Sequence, residues 1–277
     1  MKYQNGIYTE ETAQKSGVAW IFYFLLYRVM RYRYAEVIQN LSRSFPEKSY
    51  GEIKNIATQF YRHFSRLFME ILELFTIPES RIKKRVVLHQ AALLDACHAR
   101  GRNIIIMLGH YGNWECVTML PAFFSFDIYG VYKPLHNGFF NRLMKKIRGR
   151  FGLKMLPVEE APKHLLKSRK PGAYIFISDQ SPAKGGKYIV NFLNQPTRVI
   201  TGAERLARAT DAVVVYAVIN RSATGRRWEI TFSLITDDAA TTRSGEITSR
   251  FNQQLEQDIR KSPAYWLWTH RRWKTQV

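Results

Sequence analysis

From residue 103 the chain alternates short apolar runs with helical stretches, and that alternation constrains the fold more than any other feature. Asn103–Leu108 (NIIIML), Ala173–Ile177 (AYIFI) and Ala212–Ile219 (AVVVYAVI) are β-rich runs with the length and continuity of strands buried on both faces. Helical candidates lie between them: Trp114–Phe124, Phe139–Phe151, Pro162–Ser168 and Thr201–Thr210. Strands separated by helices predict an α/β fold with a mostly parallel sheet flanked by helices. Trp228–Ile235 alternates and is expected to pair as a half-exposed strand, and Glu246–Lys261 reads as a closing helix.

The region before the sheet reads as helical. Ser49 and Glu52 form a capping-box pattern, and Ile53, Ile56, Ala57, Phe60, Phe64, Leu67, Phe68 and Ile71 follow at helical spacing, which predicts an amphipathic helix from Glu52 to about Phe75. Its other face, with Lys54, Arg62, Arg66 and Glu70, is read as solvated. Further upstream, Val18–Tyr27 is a ten-residue apolar run, too short to span a bilayer, which takes roughly 20 residues. Glu10 and Glu11 before it, and no small-residue cleavage site after it, argue against a secretory signal. Arg28, Arg31 and Arg33 interleave with Tyr27, Tyr32 and Tyr34. Two readings stand: a helix lying in a membrane interface, or a buried helix with a basic end. The division taken is residues 1–48 as a membrane-associating segment and 49–277 as one α/β domain.

Charge narrows the partners. Forty-two Lys and Arg against 22 Asp and Glu leave a net charge of +20, which calls for an anionic membrane, an anionic polymer or an acidic protein. Lys133–Val158 carries seven of these cations and no acid, interleaved with Phe139, Phe140, Leu143, Met144, Ile147 and Phe151. That pattern predicts a basic amphipathic helix for lipid headgroups, substrate phosphates or an acidic carrier protein; a solvated cationic face is the alternative. Cys97 and Cys116 are too few for a disulfide framework and lie in no zinc-type cluster.

Ligands in such sheets collect beyond the carboxyl ends of the strands. Gly109-His110-Tyr111-Gly112-Asn113-Trp114-Glu115 stands immediately after NIIIML. Glycines allow positive φ and close backbone approach, and Glu115, in the next turn, is expected to fold back on the His110 imidazole. A carboxylate on one ring nitrogen makes the other a base for a hydroxyl. The plainer alternative is a histidine at a helix start, with Glu115 favoured by the helix dipole. Backbone N–H groups after His110, with the Asn113 amide, are the expected oxyanion donors. Asp179 follows AYIFI and is expected on the same sheet edge, orienting the histidine, binding substrate or capping a turn. No G-x-S-x-G elbow, P-loop, G-x-G-x-x-G or H-E-x-x-H is present.

The turn resembles the H-x4-D/E signature of the late acyltransferases of lipid A biosynthesis, a branch of the glycerolipid acyltransferase superfamily, in its G-H-(F/Y)-G-N-W-E form. Further blocks follow in family order. Tyr132-Lys133-Pro134-Leu135 with Asn137 and Arg142 is similar to Y-R-P-x-x-N, and Ser178-Asp179-Gln180 to the D-Q turn. Phe192 and Pro196, Thr201-Gly202 and Leu206-Ala207-Arg208 are similar to F-x-G-x-P…T-G…L-A-R, and Trp266–Lys274 to W-x-H-R-R-(F/W)-K.

The resemblance implies a glycerolipid-acyltransferase-like fold and transfer of a fatty acyl group from acyl carrier protein, or acyl-CoA, to a membrane lipid at the cytoplasmic face of the inner membrane. It makes His110 the base that deprotonates the acceptor hydroxyl and Glu115 its orienting partner, while Asp179 joins the catalytic candidates by its place after AYIFI. Asn113, Lys133, Asn137, Arg142, Gln180 and Arg208 become substrate-binding candidates, and no cofactor is expected. Lys133 and Asn194 stand where the family has arginine and glycine, which leaves the acceptor open: a lipid A precursor, a lysophospholipid, an aminolipid or a polyene pigment head. A cationic binding module for membranes or nucleic acid is the non-enzymatic rival, with nucleic acid the disfavoured partner of the two.

Overall fold

A computed structural model describes residues 17–134, 137–168, 170–182, 186, 188–225 and 227–273. Glu10, Glu11, Leu135 and Lys274 of the sequence reading lie outside the described residues, as do the first 16 residues of the N-terminal segment. The helices are α1 (Gly17–Tyr23), α2 (Tyr34–Ser44), α3 (Tyr50–Glu73), α4 (Ile82–Arg85), α5 (Ala92–Ala99), α6 (Gly138–Gly149), α7 (Ala161–Lys167), α8 (Gly202–Thr210) and α9 (Glu246–Lys261). The strands are β1 (Val86–His89), β2 (Ile104–Leu108), β3 (Ile128–Tyr132), β4 (Lys154–Pro157), β5 (Ala173–Ile177), β6 (Ile189–Phe192), β7 (Gln195–Arg198), β8 (Val213–Arg221) and β9 (Trp228–Thr236).

Among the described residues, seven strands form one sheet in the order β1-β9-β8-β2-β5-β3-β4. From β8 to β4 every pairing is parallel, while β9 runs antiparallel to β8 and β1 parallel to β9. The central strands are covered on both faces. Ile105, Met107, Tyr174 and Phe176 pack with α8, α9 and the N-terminal helices, and Ile104, Ile106, Leu108 and Ile175 pack on the opposite side. Two buried faces explain why these strands read as unbroken apolar runs.

Where the sequence expected a helix over Trp114–Phe124, the chain forms a 3-10 segment, Trp114–Ala122, with Pro121 inside it. The capping box at the start of α3 is made: the Ser49 hydroxyl accepts from the Glu52 amide, and the Glu52 carboxylate accepts from the Ser49 amide. The basic stretch after Lys133 divides into α6 and β4 rather than one continuous helix. In the β6–β7 hairpin, Leu193 and Asn194 both take left-handed backbone, φ 52° and 62°. Asparagine is the commonest substitute for glycine in that region, so Asn194 in the place of the family glycine keeps the turn.

The C-terminal tail folds back between α2 and the sheet edge. Asn40 donates to the Trp268 and His270 carbonyls, Arg33 to the Thr269 carbonyl, and Glu36 pairs with Arg271. Val18, Trp20 and Ile21 of α1 stay more than half exposed, as do Val29 and Met30 just after it, whereas Leu26 and Tyr27 are buried. Among the described residues, no helix is long and apolar enough to cross a membrane.

Candidate active site

Parallel pairing of β2 with β5 places Leu108 beside Ile177, and the Ser178 amide continues the ladder onto the Leu108 carbonyl at 3.0 Å. Two residues further on, both chains leave the sheet at the same height, which brings His110 and Asp179 together. The His110 Nδ1 lies 2.6 Å from Asp179 Oδ1, and the His110 backbone N–H donates to Oδ2 at 2.8 Å. A third donor, Trp266 Nε1 from the tail, reaches Oδ2 at 2.8 Å. Burial by itself raises the Asp179 pKa, but the His110 charge and these hydrogen bonds overcome it and hold the carboxyl at about 2. Asp179 is thus a fixed anion, and it selects the imidazole tautomer with its proton on Nδ1.

The other ring nitrogen faces Gln180, whose Nε2 lies 3.2 Å from His110 Nε2. The imidazole is 16% exposed and meets the Trp114 ring edge-on, centroids 5.0 Å apart. Gly112 is sterically required, and Gly109 packs closely against a neighbouring side chain. A side chain at Gly109 would run into Leu255, and one at Gly112 (φ +63°) would come within 2.0 Å of the Ile219 carbonyl oxygen. The tail pins the turn through Leu267 N–H to the His110 carbonyl and Gly112 N–H to the Tyr265 carbonyl.

Three expectations change here. Glu115 does not reach the imidazole; its carboxylate is taken by Arg148 of α6, at 2.5 and 3.0 Å, since the 3-10 segment turns it away from the sheet edge. Asn113 is 2% exposed and donates to Glu70 at 2.9 Å, so it braces α3 against the turn instead of facing a substrate. The Gly112 N–H is likewise engaged by the tail rather than free to serve as an oxyanion donor.

Of the remaining candidates, Asn137 caps α6, accepting from the Phe139 and Phe140 amides, while Lys133 and Arg142 are exposed. The Arg208 Nε is buried without a partner. Among the described residues, no hydrogen bond, ion pair or ring contact joins these four to His110, Asp179 or Gln180.

Sequence reading also passed over several residues. Glu70, assigned to a solvated face, is enclosed by Arg221, Trp228 Nε1 and Asn113. Its helical periodicity marked it as polar, but nothing local marked its partners. Arg272 is 4% exposed and none of its guanidinium nitrogens has a hydrogen-bond partner. Burial lowers its pKa to about 10 against the pull of Asp179. His63, with Nε2 buried, is pushed down to about 3 by burial and by Arg221, despite a hydrogen bond to the Gly112 backbone. Both cysteines are buried and free, and burial pushes the Cys116 thiol up.

The sequence model of the bacterial lipid A biosynthesis acyltransferases matches residues 15–275. The lipid A biosynthesis lauroyltransferase of Escherichia coli is 25% identical over 260 residues, 91% of this chain and 82% of the relative. The E. coli palmitoleoyltransferase is 22% identical, covering 86% of this chain and 78% of its own length, and the E. coli myristoyltransferase 21%, covering 86% and 74%. With the family model spanning nearly its whole length, the chain belongs to the bacterial lipid A biosynthesis acyltransferase family and is an acyltransferase.

Proposed function

We propose that this acyltransferase moves a fatty acyl group from the thioester of acyl carrier protein, or of coenzyme A, to a hydroxyl of a lipid A-type acceptor, with His110 as general base. The observation that carries the reading is the Asp179–His110 pair at the mouth of the parallel sheet. With Nδ1–H donated to Asp179, Nε2 holds the lone pair that takes the acceptor's proton. The acceptor oxygen then bonds to the thioester carbonyl carbon. As the tetrahedral intermediate collapses, the C–S bond breaks and the thiolate takes the proton back from the imidazolium. Asp179 stays ionised throughout and stabilises the imidazolium. In this reading the acceptor hydroxyl takes the place of the Gln180 amide at Nε2, 3.2 Å away, and Gln180 then orients that hydroxyl.

Attachment to the cytoplasmic face of the inner membrane fits the exposed apolar residues of α1 and the segment after it, which lie beside arginines. The test offers purified protein a labelled acyl carrier protein thioester and a lipid A precursor, with a lysophospholipid and an aminolipid in parallel. Transfer to the lipid A precursor is expected, falling at least about 10²-fold in His110→Ala with the fold retained. Undiminished transfer by His110→Ala, or transfer only to the other acceptors, overturns the reading.

A further inference from the structure

His63 and Glu70 stand two helical turns apart on α3, a spacing that puts both on one face of the helix. Both meet the turn that follows β2. His63 hydrogen-bonds to the Gly112 backbone, and Glu70 Oε2 accepts from Asn113 Nδ2 at 2.9 Å. The same oxygen accepts from Trp228 Nε1 of β9 at 2.9 Å, while Oε1 pairs with Arg221 of β8. Donors from the turn and from two strands thus converge on one side chain. Only a carboxylate, which accepts on both oxygens, satisfies all of them; an amide in its place would turn a donor against a donor.

The turn needs such a tether at Asn113. A cavity of about 30 Å³ borders that side chain, with Glu70, Cys116, Met119 and Trp228 among its lining, so close packing alone does not fix it. The start of the turn is held by other means: Asp179 accepts from the His110 N–H, and the tail bonds the His110 carbonyl and the Gly112 N–H. Next to Asn113 stands Trp114, whose ring meets the His110 imidazole edge-on with centroids 5.0 Å apart. Asp179 fixes one ring nitrogen of His110 and Trp114 bears on the ring itself. A displacement at Asn113 is therefore passed through Trp114 to the imidazole.

We infer that Glu70 is a positioning residue for the histidine: its carboxylate holds Asn113, Asn113 sets Trp114, and Trp114 keeps the imidazole turned with Nε2 towards the acceptor. Its effect on turnover rests on His110 being the base, as proposed above, whereas its effect on the ring does not. The test measures kcat, KM and the ring-proton resonances of His110 in the full chain. The Trp114 ring current displaces these resonances, and their loss in His110→Ala identifies them. Glu70→Gln and Asn113→Ala are compared with Glu73→Gln, which removes the same charge from an exposed pair with Arg85 at the end of the same helix. Glu70→Gln also strips the buried Arg221 of its counter-charge, so Asn113→Ala, which leaves that pair intact, carries the test if Glu70→Gln does not fold.

Glu70→Gln and Asn113→Ala are expected to move the His110 resonances and to lower kcat about ten-fold or more with KM within about two-fold, as small misplacements of a reacting group do. Glu73→Gln is expected to leave resonances and rate as in wild type. The double variant Glu70→Gln/Asn113→Ala should lose no more than the stronger single change, because both cut one path. Losses that multiply reveal a separate route and overturn the relay. Unmoved resonances overturn it whatever the rate, and an equal response in Glu73→Gln reduces the effect to charge at the helix end. Moved resonances with an undiminished kcat, in an enzyme that needs His110, remove Glu70 from the reaction. Moved resonances in a chain whose His110→Ala variant still transfers at the wild-type rate leave the positioning standing and refute only the base.

Discussion

Replacing Asp179 by Asn exchanges one oxygen for an amide nitrogen and leaves the volume of the site unchanged. The oxygen that remains can accept from the His110 backbone and from Trp266, both of which point at Oδ2. The new N–H₂ then faces His110 Nδ1 and must donate to it, which moves the ring proton to Nε2. That nitrogen can no longer accept a proton, and inverting the tautomer of a histidine base lowers turnover about 10⁴-fold. The same change has a stability signature. A carboxyl held at about 2 when its ordinary value is 3.8 stabilises the folded state by about 2 kcal/mol at neutral pH. Because the folded pKa is depressed, that contribution is complete above about pH 4 and is lost as the pH falls through 2. Asp179→Asn is therefore expected to be about 2 kcal/mol less stable than wild type at pH 7, with the gap closing in acid. The assays are acyl-transfer rate, denaturant unfolding against pH, and ¹⁵N spectra of the imidazole. Glu115→Gln is the control, expected to leave the tautomer alone. If Glu115→Gln moves the ring proton and Asp179→Asn does not, the assignment of the histidine's partner is wrong.

Other consequences follow from the same contacts. Either Glu115→Gln or Arg148→Gln alone should destabilise by about 3 kcal/mol, because each leaves a mostly buried charge unpaired, while the double variant loses much less than their sum; additive losses in chemical unfolding would refute the pair. His63, held neutral, makes stability fall as the pH drops from 6.5 towards 3, by about 3 kcal/mol at pH ~4.5. His63→Phe, which suits the ring contacts with Trp228 and Tyr265, should flatten that slope, and an unchanged slope in unfolding titrations would assign the acid sensitivity elsewhere. Arg272→Met should raise the thermal midpoint, since burying the guanidinium without hydrogen bonds costs about 3 kcal/mol at neutral pH; a lower midpoint would mean that its packing over Phe192 outweighs the charge.

The parts of the fold legible in sequence are those whose burial is symmetrical. β2, β5 and β8 are apolar on both faces, so their runs announce themselves, and the pairing of His110 with Asp179 follows from each standing two residues past its strand. β1, β4, β6 and β7 are four residues long with mixed exposure, and their patterns merge into the loops. The site was partly legible for the same reason. A sheet edge is a geometric consequence of strand order, whereas the direction of Glu115 depends on whether the next turn winds as an α-helix or a 3-10 helix. Local sequence decides that weakly, and here Arg148 on α6 supplies a partner that no spacing rule reveals. Glu70 fails for a related reason: periodicity identifies the face of a helix, but whether water or another strand covers that face is a tertiary fact.

The excess positive charge also divides once its neighbours are known. Arg148 and Arg221 sit in ion pairs inside the molecule, and Arg33 and Arg271 hold the tail against α2. These cations serve the fold; the Arg148 and Arg221 pairs are largely enclosed from salt, whereas the Arg271 pair with Glu36 is exposed. Arg81, Lys84 and the exposed basic face of α6 have no such engagement, and a surface charge is screened beyond about 10 Å in 0.1 M salt. Raising the ionic strength is thus expected to weaken substrate and membrane binding while leaving the unfolding midpoint nearly unchanged. If both fell together, the charge would belong to the fold, and the net +20 would carry no information about a partner.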